Sequence, residues 1–341
     1  MTWRPRRPRR PGARATAAIL RSAPQARRRG RVLAGHQSRA SRACSPLNAR
    51  LLAAATSSPP PAAPQFTHLS SSEFVSQFAS GARPEPQSVV RARVKRNIGR
   101  NASAAVALPG GARALPPAAV TPGSVNWVSA GAVTPVQDQG QCGDCYAFAA
   151  MGALSSAMAI AGGGCTPGTP YSCPALLDLS SQQIADCSTA QGNNGCNGGY
   201  MTHAYDYVQD NGGVCTETAY PYTSGNTGTT GACRVPSPNT CMPAANVAST
   251  PFDYVLGPAG APSLSVFLSY LAVQPVSVGV YAGCGTLFQN YAGGIFSATC
   301  QGSPANDVDH AVLATGFYTV PPSTQYVQLK NQYGTTWGGT P

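Results

Sequence analysis

The chain has 341 residues and a formal net charge of +11, from 23 Lys and Arg against 12 Asp and Glu. Residues 1–50 hold fourteen Arg and no acidic residue, whereas from Thr121 onward two basic residues, Arg234 and Lys330, stand against ten acidic ones. The positive charge therefore belongs to a head segment, which excludes a basic nucleic-acid-binding body, and no apolar run reaches the ~18 residues that a membrane-spanning helix needs.

Residues 1–65 are rich in Arg, Pro and Ala and poor in aromatic and β-branched side chains, so they are expected to be disordered. Their longest apolar pieces, Ala17–Leu20 and Leu51–Ala55, are shorter than the roughly 7–15-residue core of a secretory signal. An Arg-rich, acid-free head fits an organelle transit peptide or a stretch lying upstream of the true start, and both readings stay open. The segment 66–81 (FTHLSSSEFVSQFASG) predicts a short helix, with Ser70 or Ser71 as N-cap and Glu73 in the first turn. Residues 82–124 return to Arg, Ala, Pro and Gly and read as a linker; Asn101-Ala102-Ser103 forms a glycosylation sequon.

A folded body is expected from about Val125. The run 145–160 (CYAFAAMGALSSAMAI) is the clearest helix, apolar on most sides and stopped by Gly162-Gly163-Gly164. Leu179–Cys187 predicts a second helix with Ser180 as N-cap, and Met201–Gln209 a third. After Ser249 the pattern changes to short Val/Tyr/Leu runs bounded by Gly and Pro: Val276–Tyr281, Ala311–Tyr318 and Tyr326–Leu329 read as strands. A helical half followed by a β half is an α+β arrangement.

Of twelve cysteines, Cys44 stands alone in the head and eleven lie between Cys142 and Cys300. Eleven is odd, so at least one stays unpaired, and such density points to an oxidising compartment. A metal centre is disfavoured: the body has only His203 and His310, and its single C-x-x-C, Cys142–Cys145, has no second one to complete four ligands. Cys145 opens the long helix, where unpaired N–H groups and the positive end of the helix dipole favour a thiolate. A nucleophilic thiol also needs a base. His203 lies within a helix-like run and reads as packing; His310 starts a strand, and Asn331 follows another, where a side-chain amide could hold the imidazole in one tautomer.

Residues 125–150 resemble the opening of a papain-like cysteine protease of the cathepsin L group. So do 179–187 (LSSQQIADC), 195–201 (GCNGGYM), 216–222 (TETAYPY), 274–280 (QPVSVGV), 293–296 (GGIF), 308–312 (VDHAV) and 329–338 (LKNQYGTTWG), in the family's order. The resemblance implies a two-lobed papain-like fold, helical in its first lobe and β-barrel-like in its second, with the active site between them. It implies Cys145 as nucleophile, His310 as base and acid, Asn331 as the residue orienting His310, and Gln139 as an oxyanion donor beside the Cys145 N–H. Gly198 and Gly199 would offer bare backbone to an extended substrate, with Asp309 across the cleft. Tyr200, Met201, Gly279, Val308 and Ala311 would wall an apolar pocket that prefers a bulky hydrophobic side chain. The resemblance also pairs Cys142 with Cys196 and Cys187 with Cys233. Cys165, Cys173, Cys215, Cys241, Cys284 and Cys300 remain, the first two being close enough in sequence to close on each other. No metal or cofactor is implied.

The segment 66–74 resembles the end of an inhibitory prosegment, whose usual upstream helix is not visible in residues 1–65. The resulting organisation is a head at 1–65, a partial propeptide and linker at 66–120, and a peptidase domain at 121–341 that stops short of the family's last strands. The implied activity is that of an endopeptidase made as a precursor and kept in a lysosome or vacuole, or secreted. Its partners are protein or peptide substrates, its own propeptide and cystatin-type inhibitors, with no nucleic acid, no membrane span and a monomeric state. Two alternatives stay open: a homologue left impaired or binding-only by truncation, and a dipeptidyl-peptidase-type exopeptidase, suggested by Tyr146 in place of Trp. Tyr333 also replaces a Trp, which predicts a weakened shield over the Asn–His pair, and Gln332 replaces a Ser. Asp144 replaces a small residue; as an N-cap it would suit the helix, and as a carboxylate it would oppose a neighbouring thiolate. Cleavage near Thr121 should leave an acidic body, and isoelectric focusing is expected to place its isoelectric point well below that of the whole chain, about 9.2, and below neutrality.

Overall fold

The first long helix, α1, spans Cys145–Ala161, and thirteen of its 17 residues are buried. A helix with no polar stripe has to sink between other elements rather than lie on one of them. The computed structural model that shows this describes residues 123–235 except 164, 166–168, 171–172 and 174–175. It also describes residues 254–255, 264–283, 286–297, 308–320 and 324–339 and, nearer the N-terminus, 2–3, 19–21, 74 and 81–82.

The helical half follows the expected order. α1 ends at Gly162, whose N–H donates to the Met158 carbonyl at 2.9 Å. α2, Ser181–Cys187, is capped by Ser180, whose Oγ accepts from the Gln183 N–H at 3.0 Å. α3 spans Met201–Asp210, and a short α4 covers Ser224–Thr227. Tyr146, Met151 and Leu154 of α1 pack with Ile184, Ala204, Tyr205 and Val208 into one core. His203 is buried on α3 with its ring against that of Tyr200, centroids 4.6 Å apart, a packing role as its sequence setting predicts.

The β half is a seven-stranded sheet. In chain order its strands are β1 Thr2–Trp3, β2 Ile19–Arg21, β3 Val125–Asn126, β4 Tyr254–Val255, β5 Val276–Val280, β6 His310–Val320 and β7 Thr324–Lys330. β5, β6 and β7 form an antiparallel meander, and β3 pairs with β6, Val125 opposite Phe317. β1 runs parallel to β5, and β2 antiparallel to β7. These five head residues depart from the disorder expected of 1–65: β5 and β7 present unpaired backbone groups, and extended chain satisfies them. The helix α5, Leu264–Leu271, covers the sheet, and its last carbonyl accepts from Trp127 Nε1 at 2.8 Å. A further short helix, α6, spans Thr286–Gln289.

β6 separates two cores. Ala311 packs with α1, whereas Val312 and Ala314 pack with Trp127, Leu271 and Val276 on the sheet side. Side chains alternate across a strand, so a strand buried on both faces reads as the continuous apolar run seen here. Among the described residues no helix is long and apolar enough to cross a membrane.

Candidate active site

Cys145 is the first residue of α1, buried, and the free cysteine among the described residues. Cys142 is bonded to Cys196, Cys165 to Cys173, and Cys187 to Cys233. The first of these bonds, with the Gly143 N–H donating to the Cys196 carbonyl at 2.9 Å, ties the turn before α1 to the glycine loop. The sulfur faces the backbone N–H groups of Ala311 and Tyr146. Burial nevertheless pushes the thiol pKa far up, and the nearby Asp309 carboxylate adds to the rise.

His310 opens β6 and Asn331 follows β7, so the antiparallel pairing of these strands brings the two together. His310 Nε2 lies 2.8 Å from Asn331 Oδ1, which also accepts from the Gln332 N–H at 2.9 Å. An amide oxygen only accepts, so Nε2 carries the hydrogen and Nδ1 keeps its lone pair. The ring is fully buried; burial lowers its pKa from 6.5 to about 4, partly offset by Asn331. Tyr333 stacks on it, centroids 4.9 Å apart, and is itself enclosed by Phe74, Phe288 and Trp337. With Phe74 packed on Tyr333, neither His310 nor Tyr333 has exposed surface in this closed arrangement. Gln332, in place of a Ser, donates its amide to the Ala311 carbonyl at 2.9 Å.

The cleft is occupied by the chain itself. The Gly199 N–H donates to the Gly81 carbonyl at 2.8 Å, and the Ala82 N–H donates to the Asp309 carbonyl at 3.1 Å. Ala82 pairs in parallel with Gly199. Position 81 admits only glycine: a Cβ there would stand 2.7 Å from Cys145 Sγ and run into the Gly143 carbonyl oxygen. Ala82, read as the first residue of a linker, packs in the same cluster as Cys145, Met201 and Ala311, with Val308 against it. Most of the helix predicted over 66–81 lies outside the described residues; Phe74 is helical and buried.

The other predicted residues fall around this segment. Gln139 is buried, and its amide donates to the Cys142 carbonyl at 2.8 Å. Gly198 and Gly199 form the wall facing Gly81 and Ala82. A Cβ on Gly199 would meet Asn193 Oδ1 and stand 2.9 Å from the Tyr146 ring. Met201 and Ala311 line the floor, while Val308 stands so near Gly279 that a Cβ there would be 2.7 Å from it. Asp309 turns its carboxylate away to accept from the Ala282 and Gly283 N–H groups, at 2.6 and 3.0 Å, leaving its carbonyl to the cleft. Asp144 corrects an expectation: it occupies the N-cap position, but its side chain caps nothing and instead contacts the Tyr222 hydroxyl at 3.0 Å. Asn193 escaped the sequence reading. Its Oδ1 accepts from the Tyr200 N–H at 2.8 Å and its Nδ2 donates to Ser188 Oγ at 2.8 Å, which fixes the glycine wall. The signal for it was an Asn-Asn-Gly turn just before Cys196.

Gly199→Ala is expected to lower stability by about 1–3 kcal/mol, the usual cost of overpacking, and to displace residue 81 from the cleft. Thermal unfolding and the rate of Cys145 alkylation in the full chain read the two effects.

Residues 121–340 match the family described as papain family cysteine protease. A cathepsin L from Sarcophaga peregrina is 38% identical over 230 residues, 67% of this chain and 60% of that protein. The senescence-specific cysteine protease SAG39 of Oryza sativa subsp. indica is 35% identical over 217 residues, 64% of this chain and 55% of the other. This chain thus spans little more than half the length of such relatives. Among solved structures, the digestive procathepsin L 3 of the Tenebrio molitor larval midgut is similar at 27% identity and a TM-score of 0.57, covering 85% of this chain and 78% of that one. With Cys145, His310 and Asn331 gathered at the junction of α1 and the sheet, and a match over most of the chain, this protein belongs to the papain family of cysteine proteases.

Proposed function

We propose that the chain is the precursor of a cysteine-type endopeptidase, present here in its closed form. The observation that carries this reading is Gly81 seated on Cys145, hydrogen-bonded on one side to Gly199 and, through Ala82, on the other to Asp309. A peptide backbone already runs where a peptide substrate would be cut.

In the closed form both partners are uncharged, the thiol pKa raised and the imidazole pKa lowered by burial. Once the segment leaves, water returns, and the N-terminus of α1 favours a thiolate paired with an imidazolium. His310 Nδ1 takes the thiol proton while Nε2–H remains on Asn331, and the sulfur attacks the carbonyl carbon of the scissile peptide. The oxyanion is met by the Cys145 N–H and the second amide hydrogen of Gln139. His310 then gives the proton to the amine nitrogen as the C–N bond breaks, leaving a thioester. A water molecule, giving a proton to Nδ1, attacks the thioester and releases the acid, and the proton returns to sulfur.

Met201, Ala311, Val308 and Gly279 form the apolar pocket, held in the closed form by the methyl group of Ala82. The apolar character of these walls supports a preference for a hydrophobic side chain. Three disulfides among the described residues support an oxidising compartment, lysosome or vacuole or the exterior. The propeptide is the first inhibitor of the site, and cystatin-type proteins are further candidates.

Gly81→Val should expel the segment, so iodoacetamide should label Cys145 of the intact chain at least tenfold faster than in the wild type, read by peptide mass spectrometry; equal rates would sink the proposal. Asn331→Ala frees the imidazole to turn and should lower the activated enzyme's kcat on internally quenched peptides by roughly 10²-fold, with a smaller change in KM.

A further inference from the structure

Asp144 is the carboxyl group nearest the nucleophile in sequence, and nothing in the reaction uses it. It has no exposed surface, and among the described residues its Oδ2 has no hydrogen-bond partner. Its Oδ1 lies 3.0 Å from the Tyr222 hydroxyl, and that hydroxyl lies 2.9 Å from the Gln139 carbonyl. Counting hydrogens decides its state. The Gln139 carbonyl only accepts, and Tyr222 owns one hydrogen. If Asp144 were ionised, that hydrogen could fill one contact, and the other would set two lone pairs face to face. Oδ2 would then hold charge in a buried site with no side-chain donor, its own residue's backbone N–H being the partial offset. A protonated Asp144 donates to the Tyr222 oxygen, Tyr222 donates to Gln139, and both contacts are filled.

The surroundings agree. The groups facing Asp144 are Tyr222, Asp186 from α2, Glu217 from the segment after Cys215, and Cys145 and Tyr146 on α1, with Asp138 beyond Tyr222. All are neutral or acidic. Of the two cations that follow Thr121, Arg234 lies over the Tyr220 ring at 4.7 Å and Lys330 binds Thr134 and faces Asp178.

We propose that Asp144 is held as a neutral carboxylic acid, a positioning residue that fixes the Gln139 segment through Tyr222. Where Cys145 is the nucleophile, as proposed above, the arrangement also spares its thiolate an adjacent negative charge. Ionisation of Asp144 breaks the chain of hydrogen bonds and puts a like charge beside the sulfur.

The test uses the full chain and does not depend on Cys145 chemistry, so its failure is separable from failure of the protease reading. At about pH 5.5, above the ordinary aspartate range, the infrared difference between wild type and Asp144→Asn should contain the C=O band of a protonated carboxyl; carboxylate bands in its place would overturn the proposal. A raised carboxyl pKa contributes stability that is complete below the ordinary value and lost as pH rises towards the folded value. The folding constant of wild type relative to Asp144→Asn should therefore fall about tenfold per pH unit above roughly pH 4, and a flat ratio would also overturn it. If Asp144→Asn does not fold, Tyr222→Phe removes the acceptor of the carboxyl hydrogen and should move the same infrared band; an unmoved band counts against the proposal.

Discussion

Cys145 and His310 lie far apart in sequence and meet because α1 is buried with its first turn against the start of β6. The helix can be buried because nearly every side of it is apolar, and β6 can receive it because the strand is apolar on both faces: Ala311 goes to the helix, Val312 and Ala314 to the sheet. Two cores share one strand, and the site sits where that strand begins. His310 therefore enters the interface at its rim, where its ring is gripped by Tyr333 and Asn331. The geometry of the candidate site follows from a packing solution, since the same burial that joins the two cores brings the helix N-terminus to the strand that carries the imidazole.

The second constraint is dehydration. Gly81 lies on the sulfur and Phe74 on Tyr333, so the thiol and the imidazole both lose water and both neutral forms are favoured. The segment blocks the cleft and also removes the charges that chemistry there would need. The acidic surplus of the body shows in its interior by the same logic. With two cations after Thr121, carboxylates inside the body are met by neutral donors, Asp309 by the Ala282 and Gly283 N–H groups and Asp186 by Gln182, Tyr220 and the Gly231 N–H, while Asp144 is the one proposed to keep its own hydrogen. Asp178, beside Lys330, is the partial exception.

Features governed by local rules were legible in the sequence. The extent of α1 followed from its composition and the glycines after it, and Ser180 capped α2 as its position before a helical run predicts. The resemblance brought Cys145, His310 and Asn331 to attention together, since their blocks occur in the family's order. What was hidden depends on distant partners. α5, LSVFLSYL, mixes β-branched and aromatic residues and becomes a helix because it lies on the sheet. Asp144 suits an N-cap by type, but burial beside Tyr222 sends its side chain elsewhere. Asn193 and Gln332 gain their roles from Tyr200 and Ala311, contacts that no spacing rule encodes.

Among the described residues, Gly81 and Ala82 make two backbone hydrogen bonds, each worth about 0.5–1.5 kcal/mol net, and place one methyl group in an apolar cluster. As a free peptide such a segment would bind more weakly than when attached, because association first has to overcome the loss of translational and rotational freedom. Covalent attachment removes much of that cost, since the tethered segment meets the site in an intramolecular step. Closure therefore depends on the integrity of the chain between Ala82 and Val125. One cut there leaves every contact in the cleft in place and still turns an intramolecular equilibrium into a bimolecular one. A glycine at position 81 suits that arrangement, since it lets the backbone lie directly on the sulfur while Phe74, upstream, packs on Tyr333.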